Sequence, residues 1–355
     1  MPRFHIPSLD GFRAVAIMIV FLSHAGLEHV IPGGLGVTIF FFLSGYLITT
    51  LLRREMEGTG TISFRQFYIR RAWRIWPAFY LVLATTVFLT RFGSLPGEVE
   101  AMPLLSRVLH FGNYYSIFYG EAGVPVGSAV YWSLAVEEHY YLVFPFVYYW
   151  LLRLSEKFNM GAFGTCTILM GLCAAALVWR CILAQGLQPG DLRIMHGSDT
   201  RMDSILYGCL LAIAGNPVLD EWRLSDRLLK VLLVPAGVAA LFFTLLYRDP
   251  FFRETWRYTL QGIALIPIFT AAIRYPDWLP FKALNTRVFR SLGLISYPLY
   301  LVHATVLEAL KLSGLRPSAQ VVLAFAGSCA LAAAIHIVIE RPLARFRNRP
   351  SILPT

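Results

Sequence analysis

The sequence predicts an all-α polytopic membrane protein with about ten transmembrane helices and both termini in the cytoplasm, on three observations. Apolar residues fill 57% of the 355 positions and charged ones only 15%. The mean hydropathy is +0.59, above that of ordinary soluble domains. Runs of about 20 mostly apolar residues recur along the chain, each long enough to cross a hydrocarbon core of roughly 30 Å as a helix.

Reading those runs against the polar breaks between them places helices over 12–31, 35–52, 75–91, 131–152, 163–185, 201–215, 229–247, 256–274, 291–312 and 319–339. The first ends at the Pro and Gly of "IPGG", and the second at the charged "RREMEG". Basic "IRRAWR" leads into the third, and "RLSEKF" closes the fourth. The fifth is almost uniformly apolar. The sixth is short and begins with Arg201 and Asp203. "RDP", "YPDWLP", "SGLRP" and the closing "ERP" punctuate the last four. A further semi-apolar stretch at 104–119 reads as interfacial rather than spanning.

With the N-terminus in the cytoplasm and ten crossings, 21 of the 31 Lys and Arg fall on the cytoplasmic side, nine fall on the opposite side, and Arg180 stays within a span. That asymmetry is the sign of the positive-inside rule. The net charge of +10 is therefore mostly topology, and no nucleic-acid partner is expected. Cys166, Cys173, Cys181, Cys209 and Cys329 sit in apolar runs and imply no disulfide framework. No removable signal peptide, low-complexity region or internal repeat is found. The chain reads as a single membrane domain over 8–342 with a short basic tail at 343–355 and no soluble extracytoplasmic domain.

Ionisable residues inside spans cost about 2.5–3.5 kcal/mol each at a helix centre, so each is a functional candidate. Arg13 and His24 are eleven residues apart, three turns plus about 20° at 100° per residue, so they share a face roughly 16 Å apart along the axis. Asp10 joins that face. A snorkelling arginine and a histidine bonded between helices would also account for the pattern. His303, in "SYPLYLVH", lies at matched depth in the ninth span, so the two histidines can meet. In "VYWSLAVEEHYYLVFPF", Glu137 and Glu138 come near the level of His24. A histidine beside a carboxylate is what a general base requires. Adjacent helical residues point about 100° apart, so only one of the two glutamates is expected to face the site.

The stretch "FYIRRAWRIWPAFY" sets Arg70, Arg71 and Arg74 among aromatic residues. It suits a positive-inside anchor, or a cytoplasmic site for a phosphorylated ligand to which Arg13 also contributes, with Arg70 and Arg74 on one face if helical. In the second span Gly33, Gly34, Gly36, Ser44 and Gly45 permit close helix packing or approach of a substrate. Arg201 and Asp203 either pair with each other or bind a polar acceptor. No metal site is expected.

Taken together these segments closely resemble the acyltransferase 3 family of integral membrane acyltransferases. The matching motifs are "LDGFRAVAIMIVFLSH", "GGLGVTIFFFLSGYLIT", "FYIRRAWRIWPAFY", "WSLAVEEHYYLVFP", "RMDSILYG", "ISYPLYLVH" and "IERP", in family order from residue 8 to 342. Tyr140 stands where phenylalanine is common, and His139 follows the two glutamates where glutamine is frequent. The resemblance implies transfer of an acyl group, commonly acetyl, from acyl-CoA to a hydroxyl of a carbohydrate, lipid-linked or related acceptor at the bacterial inner membrane.

On that resemblance, Arg13, Arg70, Arg71 and Arg74 would hold the CoA phosphates, with Asp10, Ser44, Glu138, Arg201 and Asp203 as further binding residues. The pantetheine arm would reach up the first-helix stripe to His24. His24, with Glu137 and His303, would either deprotonate the acceptor hydroxyl or carry the acyl group itself. A transporter of a small polar or proton-coupled substrate is the alternative, because intramembrane His, Glu and Arg also build proton relays.

Overall fold

The computed structural model describes residues 6–188, 191–221 and 224–347. Arg3, Arg223 and the tail beyond residue 347 lie outside the described residues. Seventeen α-helices and no strand occur among them.

The first six helices are α1 (Pro7–Leu22), α2 (Gly33–Thr59), α3 (Phe64–Arg91), α4 (Ala101–Val108), α5 (Gly112–Tyr119) and α6 (Trp132–Phe158). The middle of the chain forms α7 (Gly161–Gly186), α8 (Leu192–His196), α9 (Ser198–Ala214), α10 (Val234–Leu246), α11 (Pro250–Glu254) and α12 (Trp256–Arg274). Then come α13 (Leu279–Lys282), α14 (Arg287–Leu294), α15 (Ser296–Lys311), α16 (Pro317–Ile335) and α17 (Arg341–Arg347).

Each of the ten expected spans overlaps a helix, the stretch 291–312 falling on two. Six described helices are long and apolar enough to cross a membrane, seven if one bent pair counts as a single span, so the chain is a polytopic membrane protein. The helices that miss this test include α6, which carries Glu137, Glu138 and His139, and α9, with Arg201 and Asp203. Nearly every residue of α9 is buried among its neighbours, so it needs no apolar surface, whereas α6 carries its charges beside apolar side chains that stay exposed, among them Leu142, Phe146 and Trp150.

Burial sorts centre from rim. In its most apolar stretch α2 is 78% buried, whereas the span built from α16 and α17 is 17% buried. The centre of the bundle is the parallel pair α2 and α9. Glycines let their backbones touch: a Cβ on Gly45 would stand 1.9 Å from the Ile205 carbonyl oxygen, and one on Gly208 2.1 Å from that of Phe42. Side chains clamp the pair along its length. Arg201 donates to Thr38 at one end, and Asn216 donates to Thr50 and accepts from Tyr46 at the other.

Two expectations change. The third span begins at Phe64, so Arg70, Arg71 and Arg74 sit on α3 itself rather than in a loop before it. The ninth span is not one helix: α14 and α15 meet at a 72° bend. There α14 lies across the start of α1, and Gly293 packs so close to it that a Cβ would be 1.9 Å from the Asp10 carbonyl oxygen. The semi-apolar stretch becomes the short helices α4 and α5, each about 12 Å long at 1.5 Å per residue and too short to span.

Candidate active site

Five helices line one cavity. α1 supplies Arg13, α2 supplies Phe40 and Ser44, α3 supplies Arg71 and Arg74, and α6 supplies Ser133, Glu137, Glu138 and Tyr141. Tyr297 and Tyr300 of α15 complete it. Three of the expected cations thus converge within one turn-spaced arc. Arg13 donates to Asp10 at 2.8 Å, which fixes its direction along α1. The Arg71 guanidinium lies 5.3 Å from the Tyr141 ring centroid.

Arg70 does not join them. It points away and pairs with Glu55 at 3.1 Å, also donating to Gln66. Helix geometry allows both i, i+3 and i, i+4 neighbours on a face, and here the cavity selects Arg71 and Arg74.

Glu137 accepts from Ser44 Oγ at 3.0 Å and from the Tyr141 hydroxyl at 2.9 Å. Contrary to the expectation that only one glutamate faces the site, Glu138 lines the same cavity, and its Oε1 is buried without a hydrogen-bond partner. The cavity wraps far enough around α6 to take two side chains that diverge by about 100°. The expected approach of Glu137 to His24 is absent. Glu137 is held on α2 and within its own helix, and His24 finds a different partner.

His24 lies in a π-helical turn, Ser23–Leu27, that continues α1 and breaks at Gly26, whose φ is 98°. It is exposed at that end of the helix rather than deep inside the span. Its Nδ1 is 2.9 Å from Nε2 of His303, which is fully buried on α15. The expected meeting of the two histidines therefore occurs. His303 Nδ1 is 2.7 Å from the Tyr300 carbonyl oxygen. A carbonyl only accepts, so Nδ1 carries the proton and the neutral ring offers its Nε2 lone pair to His24 Nδ1–H. That leaves the lone pair of His24 on Nε2.

His24 borders a second cavity, with Pro96, Gly97, Gly127, Val130 and Glu308 among its walls. His24 and the arginine cluster thus line different cavities.

The Arg201 and Asp203 pairing does not form. Asp203 is fully buried and bonded to Arg180 at 2.8 and 2.6 Å, which leaves it no part in binding. Arg180, counted in the sequence only as a charge within a span, is thus its counter-ion. The Arg201 guanidinium stacks 3.9 Å from the Tyr258 ring centroid, flanked by Phe41 and Trp132, and its Nε and Nη1 have no hydrogen-bond partner. Outside the spans, burial pushes His196 down to about 3 and His110 to about 4, so both are neutral at physiological pH. Residues that sequence reasoning missed are Tyr141, Ser133 and Tyr300. The one signal for Tyr300 was its place three residues before His303 on the same helix face.

Among the described residues, no three His, Cys, Asp or Glu side chains gather as a metal site requires. Comparison with known proteins finds a match to the acyltransferase domain family over residues 6–341. Peptidoglycan O-acetyltransferase OatA of Listeria monocytogenes is 30% identical over 325 residues, 86% of this chain and 50% of its own length. The putative peptidoglycan O-acetyltransferase YrhL of Bacillus subtilis is 30% identical over 357 residues, 96% of this chain and 55% of its own length. A putative O-acetyltransferase of Staphylococcus aureus strain COL is 29% identical over 324 residues, 86% and 51% of the two chains. The chain spans about half the length of the curated relatives it matches. No solved structure matches it.

Proposed function

The chain belongs to the acyltransferase domain family, and we propose that it moves an acyl group, commonly acetyl, from acyl-CoA to a hydroxyl of a cell-surface carbohydrate. The three relatives are named as O-acetyltransferases, two of them of peptidoglycan, which favours this reading over a transporter. In it, one domain of ten crossings keeps both termini in the cytoplasm of a bacterial inner membrane. The cavity of Arg13, Arg71 and Arg74 faces the cytoplasm, and the cavity of His24 faces outward.

The observation that carries the reading is the division of labour along α1. Arg13 enters a cavity with two further arginines suited to phosphate oxygens. His24, about 16 Å further along the helix, is held by His303 with a free Nε2 lone pair at the other cavity. Ser44, Glu137, Tyr141 and Glu138 line the route from the arginines, where polar groups guide the thiol arm of the donor.

The acceptor hydroxyl gives its proton to His24 Nε2, and its oxygen attacks the thioester carbonyl. The C–O bond forms, the C–S bond breaks, and the departing CoA thiolate recovers the proton from the imidazolium. His303 stabilises the ring during this cycle by accepting from Nδ1–H.

Inverted membrane vesicles supplied with radiolabelled acetyl-CoA test the reading. Wild-type protein is expected to label envelope glycan, and His24→Ala to insert normally but label at least about 100-fold less. Undiminished labelling by that variant overturns the assignment of the base. A covalent acyl-histidine on wild-type protein without acceptor would replace direct transfer with a carrier role.

A further inference from the structure

One side chain closes the first cavity and bonds to the wall of the second. The end of the arginine-lined cavity far from Arg71 is formed by Phe40, Ser133 and Tyr300. Tyr300 is 4% exposed, and Phe40 meets it edge-on with ring centroids 6.3 Å apart. The Tyr300 hydroxyl donates to the Val130 carbonyl oxygen at 2.6 Å. Its proton being used there, it accepts from Ser133 Oγ at 2.7 Å. Val130 in turn walls the second cavity beside His24. Tyr300 thus has one cavity on its ring and the wall of the other at its hydroxyl. His303 follows three residues later, about 4.5 Å along the axis.

We propose that Tyr300 is the specificity-determining residue for the acyl group: its ring closes the donor cavity, admits short acyl chains to the reacting position and excludes long ones. The assignment rests on the donor and acceptor sides of the proposed function. The cavity holds about 100 Å³ from the arginines to Tyr300, well below the roughly 300–1,000 Å³ of sites that enclose whole drug-sized ligands. A long acyl chain has no room at its far end while the Tyr300 ring stands there. The latch to Val130 has a second effect, because it keeps water of the second cavity from the thioester until the ring moves. Since the Tyr300 backbone carbonyl also orients His303, the wall and the base share one helical turn.

The test uses the full chain in inverted vesicles with acetyl-, butyryl- and hexanoyl-CoA, reading CoA thiol released and acyl groups on envelope glycan by mass. Tyr300→Ala is expected to raise the ratio of hexanoyl to acetyl transfer at least tenfold over wild type. Tyr300→Phe keeps the ring, so the ratio holds, but the latch is lost and acceptor-independent thioester hydrolysis rises several-fold. A purely structural role would lower all three donors together and leave the ratio unmoved, which overturns the proposal. Should Tyr300→Ala fail to fold, Phe40→Ala opens the same end, and an unchanged ratio there overturns it equally. If wild-type protein uses no acyl-CoA at all, the donor reading itself fails and this assignment falls with it. Use of acyl-CoA with an unshifted ratio sinks this assignment alone.

Discussion

His24 Nδ1 and His303 Nε2 stand 2.9 Å apart, and the Tyr300 carbonyl behind His303 decides which nitrogen of each ring holds the proton. The pair makes a one-way chain of donors ending in a lone pair on the exposed histidine. His303 thus orients the ring of His24, 279 positions away in sequence.

His303→Gln retains an amide oxygen that can accept from His24 Nδ1–H, whereas His303→Leu removes it. The leucine variant is expected to lose about 100-fold in turnover with little change in the KM for acyl-CoA, and the glutamine variant to recover part of that loss. Equal loss in both would mean that His303 serves packing and not the orientation of His24.

Arg71→Ala and Arg74→Ala each remove a guanidinium from the cavity, while Arg70→Ala removes one that pairs with Glu55 at the surface. A hydrogen bond to a charged group contributes about 1.5–3 kcal/mol, so the KM for acyl-CoA should rise roughly 10- to 100-fold in the first two variants. The Arg70 variant should change it far less, since an exposed pair contributes about 0–1 kcal/mol. Titration of the three variants with acyl-CoA separates them, and an equal effect from Arg70→Ala would refute the division of the three arginines between cavity and surface.

Gly45→Leu drives a side chain into the Ile205 carbonyl at the α2–α9 contact, where even a Cβ has no room. Overpacking of this kind costs about 1–3 kcal/mol or more, and the variant should fail to accumulate as folded protein in detergent. Gly34→Ala meets nothing within 4 Å and should behave as wild type on size exclusion. Normal yield and melting of Gly45→Leu would show that the two helices can separate without loss.

Asp220 accepts from both terminal nitrogens of Arg53 and from the Asn216 backbone amide. The Arg53 bond holds its carboxyl below the usual range, with Asn216 assisting. A carboxyl lowered in the folded state stabilises the fold above its unfolded pKa, about 3.9, and loses that contribution as pH falls through the lower folded value. Melting in detergent should therefore show Asp220→Asn less stable than wild type at neutral pH, the difference closing below about pH 4. A gap that persists unchanged at lower pH would assign the loss to something other than the ion pair.

The limits of reading the chain alone are visible in particular residues. Arg13 and Asp10 were legible as neighbours because they are three apart on one helix, and they bond as expected. The choice of Arg71 over Arg70 was not, since both are basic and one position apart, and only the neighbouring α1, α2 and α6 decide which side is cavity. Glu137 was placed at the depth of His24 by counting from helix ends. The first helix starts at Pro7, five residues before the expected boundary, and a π turn carries His24 to its far end, so the count misplaced the histidine. Arg201 and Asp203 are two apart and face different neighbours, so Arg180 on α7 claimed the aspartate.

By itself the sequence determined that the chain is helical, roughly where its helices lie and which polar residues within them are candidates for chemistry, because a bilayer demands long apolar runs and makes each charge within them costly. It also determined which of those residues share a face, through the 3.6-residue period. The tertiary structure alone decided which faces meet: that His24 answers to His303, that two glutamates share a cavity, that Tyr300 reaches from one cavity to the wall of the other. Those pairings depend on the bend between α14 and α15 and on the glycine contact of α2 with α9. Such contacts join residues more than 150 positions apart, and no periodicity within a single helix encodes its neighbour.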